Sequence, residues 1–354
     1  MILVSSTQRR GAEVFGEHLA GALRESGWET GFLALHQAES GSSVSATPLF
    51  ASSEIDGISG LRPRVVKRLR VAVASQKPDV ILAGGGATLK YSVAALTGLR
   101  DRPMLVYSSI GEPEFWATSL WRKKMMSALL RRTQLVTAVS RATADQLVRS
   151  FGVNPAGVRV VHPGVPEEFL SVERREPADA RLNVLYLGSL SNEKNPLAAV
   201  EAVNAMETEA TLRMVGGGPL MGIIEQEAGR DRVRMEVIGP ADDVTEHLSW
   251  ADVLVLTSRT EGLPGVALES SAAGVPVVAF GVGGVLEAVD DGVTGFVIEP
   301  GDNHAMARAL DRLAREPDLR FSMASAGRVK IAEHFLLSHA LDRTLDVLDG
   351  VLKN

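Results

Sequence analysis

Short apolar runs alternate with longer amphipathic stretches along the whole chain, and this alternation constrains the fold more than any other feature. The runs are apolar throughout, which is typical of parallel strands covered on both faces. They are Met1–Val4, Thr30–Leu35, Asp79–Ala83, Met104–Tyr107, Leu135–Val139, Val158–Val161, Asn183–Leu187, Thr211–Val215, Val233–Ile238, Asp252–Thr257, Val275–Phe280 and Gly295–Ile298. Amphipathic stretches such as Ala12–Ser26, Ala142–Phe151 and Pro196–Met206 lie between them. The repeated strand–helix order predicts an α/β protein with two doubly wound domains.

The length and one irregular segment predict where the two domains divide. The chain has 354 residues, about twice the size of an ordinary domain. The segment from Pro163 to Leu182 is rich in proline and charge and lacks apolar periodicity, which is typical of a linker. We therefore predict one domain over 1–165 and a second over 180–335, with a helix near 336–354 packing back on the first. A cleft between the domains, at the carboxyl ends of both sheets, is the expected ligand site.

The composition excludes several classes of protein. Hydrophobic residues make up 45% and charged residues 23%, the profile of a folded globular chain. The absence of cysteine excludes disulfides, thiolate catalysis and cysteine-ligated metal sites. No apolar run approaches about 18 residues, and the first charges follow the apolar N-terminal run, the wrong order for a signal peptide. We expect a cytoplasmic protein, and the net charge of −6 without aromatic–basic interleaving argues against a nucleic-acid partner.

The segment that follows the run Asp252–Thr257 carries two carboxylates around a predicted helix start. The backbone N–H groups of Gly265 and Val266 would point out of that helix, which suits a phosphate. Glu261 lies in the preceding loop, and Glu269 leans back toward the helix start. Carboxylates beside an anion would bind hydroxyls, so a sugar nucleotide fits, with its sugar on Glu261 and its ribose on Glu269. The residues alone leave open that Glu261 is a turn residue and Glu269 a carboxylate favoured by the helix dipole.

Three further positions suit a nucleotide diphosphate. Lys194 follows a strand and a short turn, where its ammonium could neutralise a diphosphate leaving group or could simply be solvated. The glycines from Gly216 to Gly218 offer bare backbone that a base or ribose could approach closely. Gly11 lies between the first strand and the first helix, and the neighbouring Arg9 and Arg10 could add positive charge.

The spacing of Glu261 and Glu269, with seven residues between them, resembles the Glu-x7-Glu motif of the retaining GT-B glycosyltransferases of family GT4. Matching segments in the family's order are Tyr186–Pro196, Val215–Leu220, Ile238–Pro240, Val282–Glu287 and Asp291–Gly295, with weaker matches at Gly11–Phe15 and Val139–Thr143. The resemblance covers nearly the whole chain and is strongest in the second half.

The resemblance implies a GT-B fold of two Rossmann-like domains, the first binding the acceptor and the second the nucleotide sugar. It implies a hexosyltransferase that moves a sugar, with retention, from a UDP-sugar in preference to a GDP-sugar onto a glycan, lipid or lipid-linked acceptor. The implied catalytic residues are Lys194, Glu261 and Glu269. The implied donor-binding residues are Gly11, Gly188, Ser189, Gly216, Gly218, Ile238, Arg259, Gly265 and Val266. No Asp-x-Asp occurs, so neither a divalent metal nor another cofactor is expected.

The sequence departs from the family pattern at two places. Ser189 stands where the family usually has an arginine on the diphosphate, and Arg259, Arg9 or Arg10 could take its place. No histidine follows the run Met104–Tyr107, so Ser108, Ser109 and Glu112 are the candidates for the acceptor side. His162 is interpreted as structural.

Two basic stretches in the first half suggest a membrane surface. One has Leu61, Val65 and Leu69 at helical spacing among cations. The other, from Trp121 to Arg132, repeats this pattern with Trp121, Met125 and Leu129. Basic amphipathic helices can lie on anionic membranes, which predicts a peripheral membrane enzyme at the inner face. The alternative is that these faces pack on the sheet and the cations are solvated.

Two other functions fit the same residues. A non-catalytic glycosyltransferase-like scaffold is supported by Ser189 and the missing histidine. A sugar-nucleotide epimerase could use the same architecture, although the Glu-x7-Glu spacing fits transfer better.

Overall fold

A computed structural model describes residues 1–8, 11–38, 43–51, 60–175, 180–228, 234–241 and 243–353. The chain divides into two compact units. Unit 1 contains Met1–Pro163 and Ser338–Asn354, and unit 2 contains Gly164–Leu337.

Unit 1 is built on a parallel sheet whose seven strands have the order β3-β2-β1-β4-β5-β6-β7. The registers include Leu3 opposite Leu33 and Ile2 opposite Leu82. Its elements are β1 (Ile2–Ser6), α1 (Gly11–Glu25), β2 (Phe32–His36), β3 (Thr47–Pro48), α2 (Pro63–Gln76), β4 (Val80–Gly84), α3 (Gly86–Leu96), β5 (Met104–Ser109), α4 (Pro113–Trp116), α5 (Leu120–Leu130), β6 (Leu135–Ala138), α6 (Arg141–Phe151) and β7 (Val158–Val160).

Unit 2 is built on a second parallel sheet, with six strands in the order β10-β9-β8-β11-β12-β13. Its elements are β8 (Leu182–Leu187), α7 (Pro196–Asn204), β9 (Ala210–Val215), α8 (Met221–Ala228), β10 (Arg234–Ile238), α9 (Thr245–Trp250), β11 (Val253–Leu256), α10 (Gly265–Ala272), β12 (Val277–Phe280), α11 (Val285–Ala288), β13 (Gly295–Ile298), α12 (Asn303–Arg315) and α13 (Pro317–His334). The last helix, α14 (Leu337–Leu352), buries Leu348 and Val351 in the core of unit 1 beside β1 and α1.

The apolar runs form the strands because both faces of each sheet are covered. One face of the unit 1 sheet packs on α2 and α3 through Leu69 and Leu89, and the other packs on α1 and α14 through Leu19 and Leu348. Two doubly wound α/β units were expected, and the structure confirms that fold class. The short strand β3 was not predicted, because a two-residue edge strand that contains Pro48 has no apolar pattern.

The apolar faces predicted for the two basic helices are wrong in part. Helix α2 begins at Pro63, so Leu61 lies outside the helix and is exposed, while Val65, Leu69 and Val73 are buried. In α5 the side chains that enter the core are those of Met126 and Leu130. Trp121 is exposed, whereas it was expected to share an apolar face with Met125 and Leu129.

Candidate functional site

The predicted donor residues of the second half meet at the carboxyl edge of the unit 2 sheet. Strands β8 and β11 are neighbours there, and the strand order reverses between them. Loops that leave adjacent strands in opposite directions open a crevice at such a point, where α/β sheets bind ligands. The loop after β8 carries Lys194, and the loop after β11 carries Glu261.

Lys194 and Glu261 form an ion pair at this edge. The Lys194 Nζ lies 2.7 Å from Glu261 Oε1, and the Ser258 hydroxyl donates to the same oxygen at 2.6 Å. The Glu261 side chain is 7% exposed and that of Lys194 is 30% exposed. A buried carboxylate needs this compensation, because an unpaired buried charge is costly. Lys194 was expected to face a diphosphate; here it also holds Glu261, and its ammonium has three protons to share.

The loop that carries Lys194 is fixed by hydrogen bonds from the loop after β11. The Thr257 hydroxyl donates to the Asn195 carbonyl at 2.9 Å, and the Arg259 backbone N–H donates to the Glu193 carbonyl at 2.8 Å. Asn195 has a left-handed backbone with φ 51° immediately before α7. These contacts place Lys194 against Glu261 before any ligand binds.

Glycines bring the loops after β8 and β9 into direct contact. Gly216 has φ 146°, and a Cβ on it would lie 1.9 Å from the Gly188 carbonyl oxygen. The Gly216 N–H donates to the Ile238 carbonyl at 3.1 Å, and a Cβ on Gly218 would lie 2.6 Å from the carbonyl oxygen of Leu190. Gly188, Gly216, Gly218 and Ile238 therefore lie in loops of close-packed backbone at the same edge of the sheet.

Glu269 lies in the first turns of α10 and is directed toward the start of that helix. Its Oε1 lies 4.0 Å from the position that a Cβ on Gly265 would occupy. Gly265 is exposed, and among the described backbone hydrogen bonds its N–H and that of Val266 have no acceptor. Burial raises the pKa of Glu269 from 4.5 to about 7. The predicted backward lean of Glu269 is thus present, and its carboxyl lies beside two N–H groups suited to an anion.

The loop after β12 supports the Glu261 backbone. The Gly284 N–H donates to the Glu261 carbonyl at 3.1 Å, and a Cβ on Gly284 would lie 2.1 Å from the Gly262 carbonyl oxygen. Only a glycine lets these two loops approach so closely. The matched segment Val282–Glu287 therefore acts on the site through the backbone of the Glu261 loop.

Ser189 and Arg259 both lie in the loops that form the candidate site. Ser189 is exposed, and its carbonyl accepts a hydrogen bond from the Tyr186 hydroxyl at 3.0 Å. The Arg259 guanidinium is exposed and donates to Asn195 Oδ1 at 3.4 Å, next to Lys194. Arg9 and Arg10 lie outside the described residues.

The residues predicted on the acceptor side lie together in unit 1. Ser108 and Ser109 end β5, and Glu112 precedes α4. Ser108 and Glu112 are half-buried, whereas Ser109 is buried and its hydroxyl donates to the Gly111 carbonyl at 3.4 Å. Gly11 begins α1 and is exposed.

Sequence reasoning missed the hydroxyl groups that hold the site together. Ser258 and Thr257 are buried, and each bonds to an element of the Lys194–Glu261 pair or its loop. The only sequence signal was a serine three residues before a loop glutamate. Among the described residues, no group of three His, Asp or Glu side chains lies close enough to hold a metal ion.

The fold and the site define a class of protein: an open parallel α/β protein whose polar residues gather where the strand order reverses. Residues 9–169 match the family described as Glycosyltransferase Family 4, and residues 181–316 match Glycosyl transferases group 1. The chain belongs to this family of glycosyltransferases.

The curated relatives carry related names. D-inositol 3-phosphate glycosyltransferase from Streptomyces bingchenggensis is 35% identical over 229 residues, which is 58% of this chain and 50% of the relative. A GDP-mannose-dependent alpha-(1-6)-phosphatidylinositol monomannoside mannosyltransferase from Mycolicibacterium smegmatis is 28% identical over 75% of both chains. The match spans about half the length of the first of these relatives.

Solved structures share the fold at low sequence identity. Anabaena HepE in complex with UDP-glucose has a TM-score of 0.81 at 20% identity, covering 99% of this chain and 98% of that chain. Sucrose-phosphate synthase from Thermosynechococcus elongatus has a TM-score of 0.82 at 19% identity with the same coverage. The fold is therefore GT-B, as the resemblance implied.

A double-mutant cycle tests the ion pair. Lys194→Met should lower the free energy of unfolding by about 2 kcal/mol, because Glu261 stays buried without its cation. Glu261→Gln should cost less, because the partly exposed Lys194 can reach water. The double variant should lose less stability than the sum of the two single losses. We expect a coupling free energy of about 1 kcal/mol or more, measured by urea unfolding at pH 7.5. Simple additivity would show that the two groups do not interact.

Gly216→Ala tests the close approach of the two glycine loops. The added methyl group meets the Gly188 carbonyl, so we expect a loss of at least about 2 kcal/mol in the free energy of unfolding. Gly222→Ala is the matched control, because no atom lies within 4 Å of its Cβ position in α8 and alanine favours helix by up to about 1 kcal/mol. Equal effects of both substitutions in urea unfolding would refute the packing argument.

The raised pKa of Glu269 predicts a pH-dependent stability. The folded chain holds the Glu269 proton more tightly than the unfolded chain, so its contribution is fully present below pH 4.5 and is lost as the pH rises through about 7. The loss is about 3 kcal/mol for that shift. Glu269→Gln removes the titrating group. The decrease in the free energy of unfolding between pH 5.0 and pH 7.5 should therefore be smaller in the variant than in the native chain. Parallel pH profiles would place the shifted pKa elsewhere.

Proposed function

We propose that this chain is a hexosyltransferase that moves a sugar from a nucleotide diphosphate sugar to an acceptor hydroxyl with retention of anomeric configuration. The observation that carries the proposal is the assembly of Lys194, Glu261 and Glu269 at one edge of the unit 2 sheet. Positive charge and N–H donors there match the phosphate groups of such a donor, and the carboxylates match its hydroxyl groups.

Each group has a distinct task in the proposed reaction. Lys194 and the N–H groups of Gly265 and Val266 stabilise the negative charge that develops on the departing diphosphate. Glu261 accepts hydrogen bonds from sugar hydroxyls, and Glu269 from ribose hydroxyls. The bond from the anomeric carbon to the phosphate oxygen breaks while the acceptor oxygen bonds to that carbon on the same face, and the departing oxygen takes the acceptor proton. Positioning and charge stabilisation supply the catalysis, without a divalent metal or a protein base.

The names of the relatives narrow the substrates that we propose. The Mycolicibacterium protein is named for GDP-mannose and a phosphatidylinositol acceptor, and HepE was solved with UDP-glucose. We favour a UDP-sugar over a GDP-sugar as the donor and a glycan, lipid or lipid-linked molecule as the acceptor.

A panel of UDP-, GDP-, ADP- and dTDP-sugars, each with and without EDTA, tests the donor site by thermal unfolding. A donor at about 100 times its Kd stabilises the folded chain by about 2.7 kcal/mol, a shift of several degrees. We expect one nucleotide class to raise the Tm equally with and without EDTA. A shift that disappears in EDTA would refute the metal-free site. No shift with any donor would favour the non-catalytic scaffold.

Two variants separate nucleotide binding from sugar transfer. Lys194→Met should weaken binding of the selected nucleotide diphosphate at least about tenfold, because one charge-assisted contact is lost. Glu261→Gln should keep nucleotide binding while transfer falls by at least about 100-fold, and Glu225→Gln on the exposed face of α8 is the control.

The anomeric configuration of the product, read by NMR, tests retention. Formation of an epimer without any acceptor would favour the epimerase.

A further inference from the structure

We propose that an aromatic patch on unit 1 docks this protein on an anionic lipid bilayer. The patch consists of Phe115 and Trp116 in α4 and Leu120 and Trp121 at the start of α5. All four side chains are exposed, Leu120 to 80%, Trp121 to 63% and Trp116 to 53%. Large apolar side chains grouped in one short segment of surface are typical of an interaction site.

The patch is held in shape by the residues around it. Pro113 and Ala117 are buried beneath it, and the Ser119 hydroxyl caps α5 by accepting the Arg122 N–H at 3.3 Å. Phe115 and Trp116 pack edge to face, with ring centroids 5.2 Å apart. The aromatic side chains are therefore displayed by anchored backbone. Tryptophan in this setting suits the membrane interface, where its ring is partly apolar and its N–H finds water.

Exposed cations of α5 lie next to the patch and favour an anionic partner. Arg122 and Lys124 are exposed in the first turns of α5, and Arg131 and Arg132 are exposed just after its end. The Arg122 guanidinium donates to the Trp116 carbonyl at 3.4 Å, which keeps this cation next to the aromatic rings. Exposed apolar side chains with cations beside them complement a bilayer surface rich in anionic headgroups.

The other basic stretch of the sequence lacks this arrangement. In α2 the apolar side chains of Val65 and Leu69 enter the core. Arg68 stacks over the Phe50 ring with its Cζ 4.2 Å from the ring centroid, and the Arg70 guanidinium donates to the carbonyls of Ala95 and Thr97. The structure therefore separates two stretches that look alike in sequence, and of the two only the segment of α4 and α5 combines exposed cations with exposed tryptophans.

The patch continues directly from the candidate acceptor residues. Strand β5 ends at Ser109, and Glu112 immediately precedes α4. A membrane in contact with the patch would bring lipid headgroups to this end of unit 1, where a lipid or lipid-linked acceptor would be needed. This link to the acceptor rests on the proposed function, whereas bilayer binding by the patch does not.

Flotation of the full chain with vesicles tests the proposal. Vesicles of phosphatidylcholine with about 30% phosphatidylglycerol, whose anionic headgroups attract basic segments, are compared with vesicles of pure phosphatidylcholine. We expect binding to the anionic vesicles only. The Trp116→Ser/Trp121→Ser variant should weaken the vesicle partition at least about tenfold. The Arg122→Gln/Lys124→Gln variant should weaken it about 20-fold or more, because each cation near the surface contributes about fivefold.

Matched variants and a second readout keep the test specific. Arg64→Gln/Lys67→Gln on α2 removes two exposed cations and should leave the partition unchanged, as should Phe321→Ser on unit 2. Donor-induced Tm shifts should be the same for the patch variants and the native chain, so loss of vesicle binding is distinguishable from loss of the donor site. Native-like vesicle binding by both patch variants would overturn the proposal. So would a native dimer in solution that the tryptophan variant converts to a monomer, because the patch would then bind a second copy.

Discussion

The ion pair between Lys194 and Glu261 is the interaction on which the candidate donor site depends. A carboxylate as buried as Glu261 needs partners that compensate it, and an ammonium and a hydroxyl do so here. The two charges come from loops after different strands, so their attraction also sets the distance between those loops. The hydrogen bond from Thr257 to the Asn195 carbonyl strengthens the same connection. Groups that we propose bind a phosphate and a sugar are thereby positioned together, which reduces the ordering that ligand binding would otherwise require.

The parallel sheet makes this arrangement possible because all of its strands end at one edge. The loops after β8 and β11 leave the sheet in opposite directions, because the strand order reverses between these two strands. Side chains from both loops can therefore meet in the crevice with no helix between them. Glycines allow the backbones of neighbouring loops at this edge to approach closely. Gly216 lies against the Gly188 carbonyl and Gly284 against the Gly262 carbonyl, contacts that no larger residue permits. Side-chain chemistry and backbone packing therefore specify one site together.

The sequence predicted those parts of the molecule that local patterns determine. Fully apolar runs predicted parallel strands because burial on both faces leaves no alternation. The position of Glu269 inside a predicted helix predicted a carboxylate that leans toward the helix start, because helical side chains lean N-terminally. The partners of these groups could not be predicted, because Ser258 reaches Glu261 only once the turn has formed. The sequence predicted an apolar face of Trp121, Met125 and Leu129 for α5, whereas packing in the unit 1 core buries Met126 and Leu130. This packing leaves Trp121 on the surface.

Glu269 shows how competing electrostatic effects set the chemistry of the site. A carboxylate near a helix start gains up to about 1 kcal/mol from the helix dipole, which favours the charged form. Burial acts in the opposite direction and raises the pKa to about 7, a cost of about 3 kcal/mol for ionisation, so desolvation outweighs the dipole. Near neutral pH the carboxyl is divided between its two forms. A hydroxyl that donates to it favours the ionised form, whereas a phosphate at the helix start favours the neutral one. A ligand that carries both a hydroxyl and a phosphate therefore binds with uptake or release of a proton at Glu269. The direction depends on which of the two contacts is stronger.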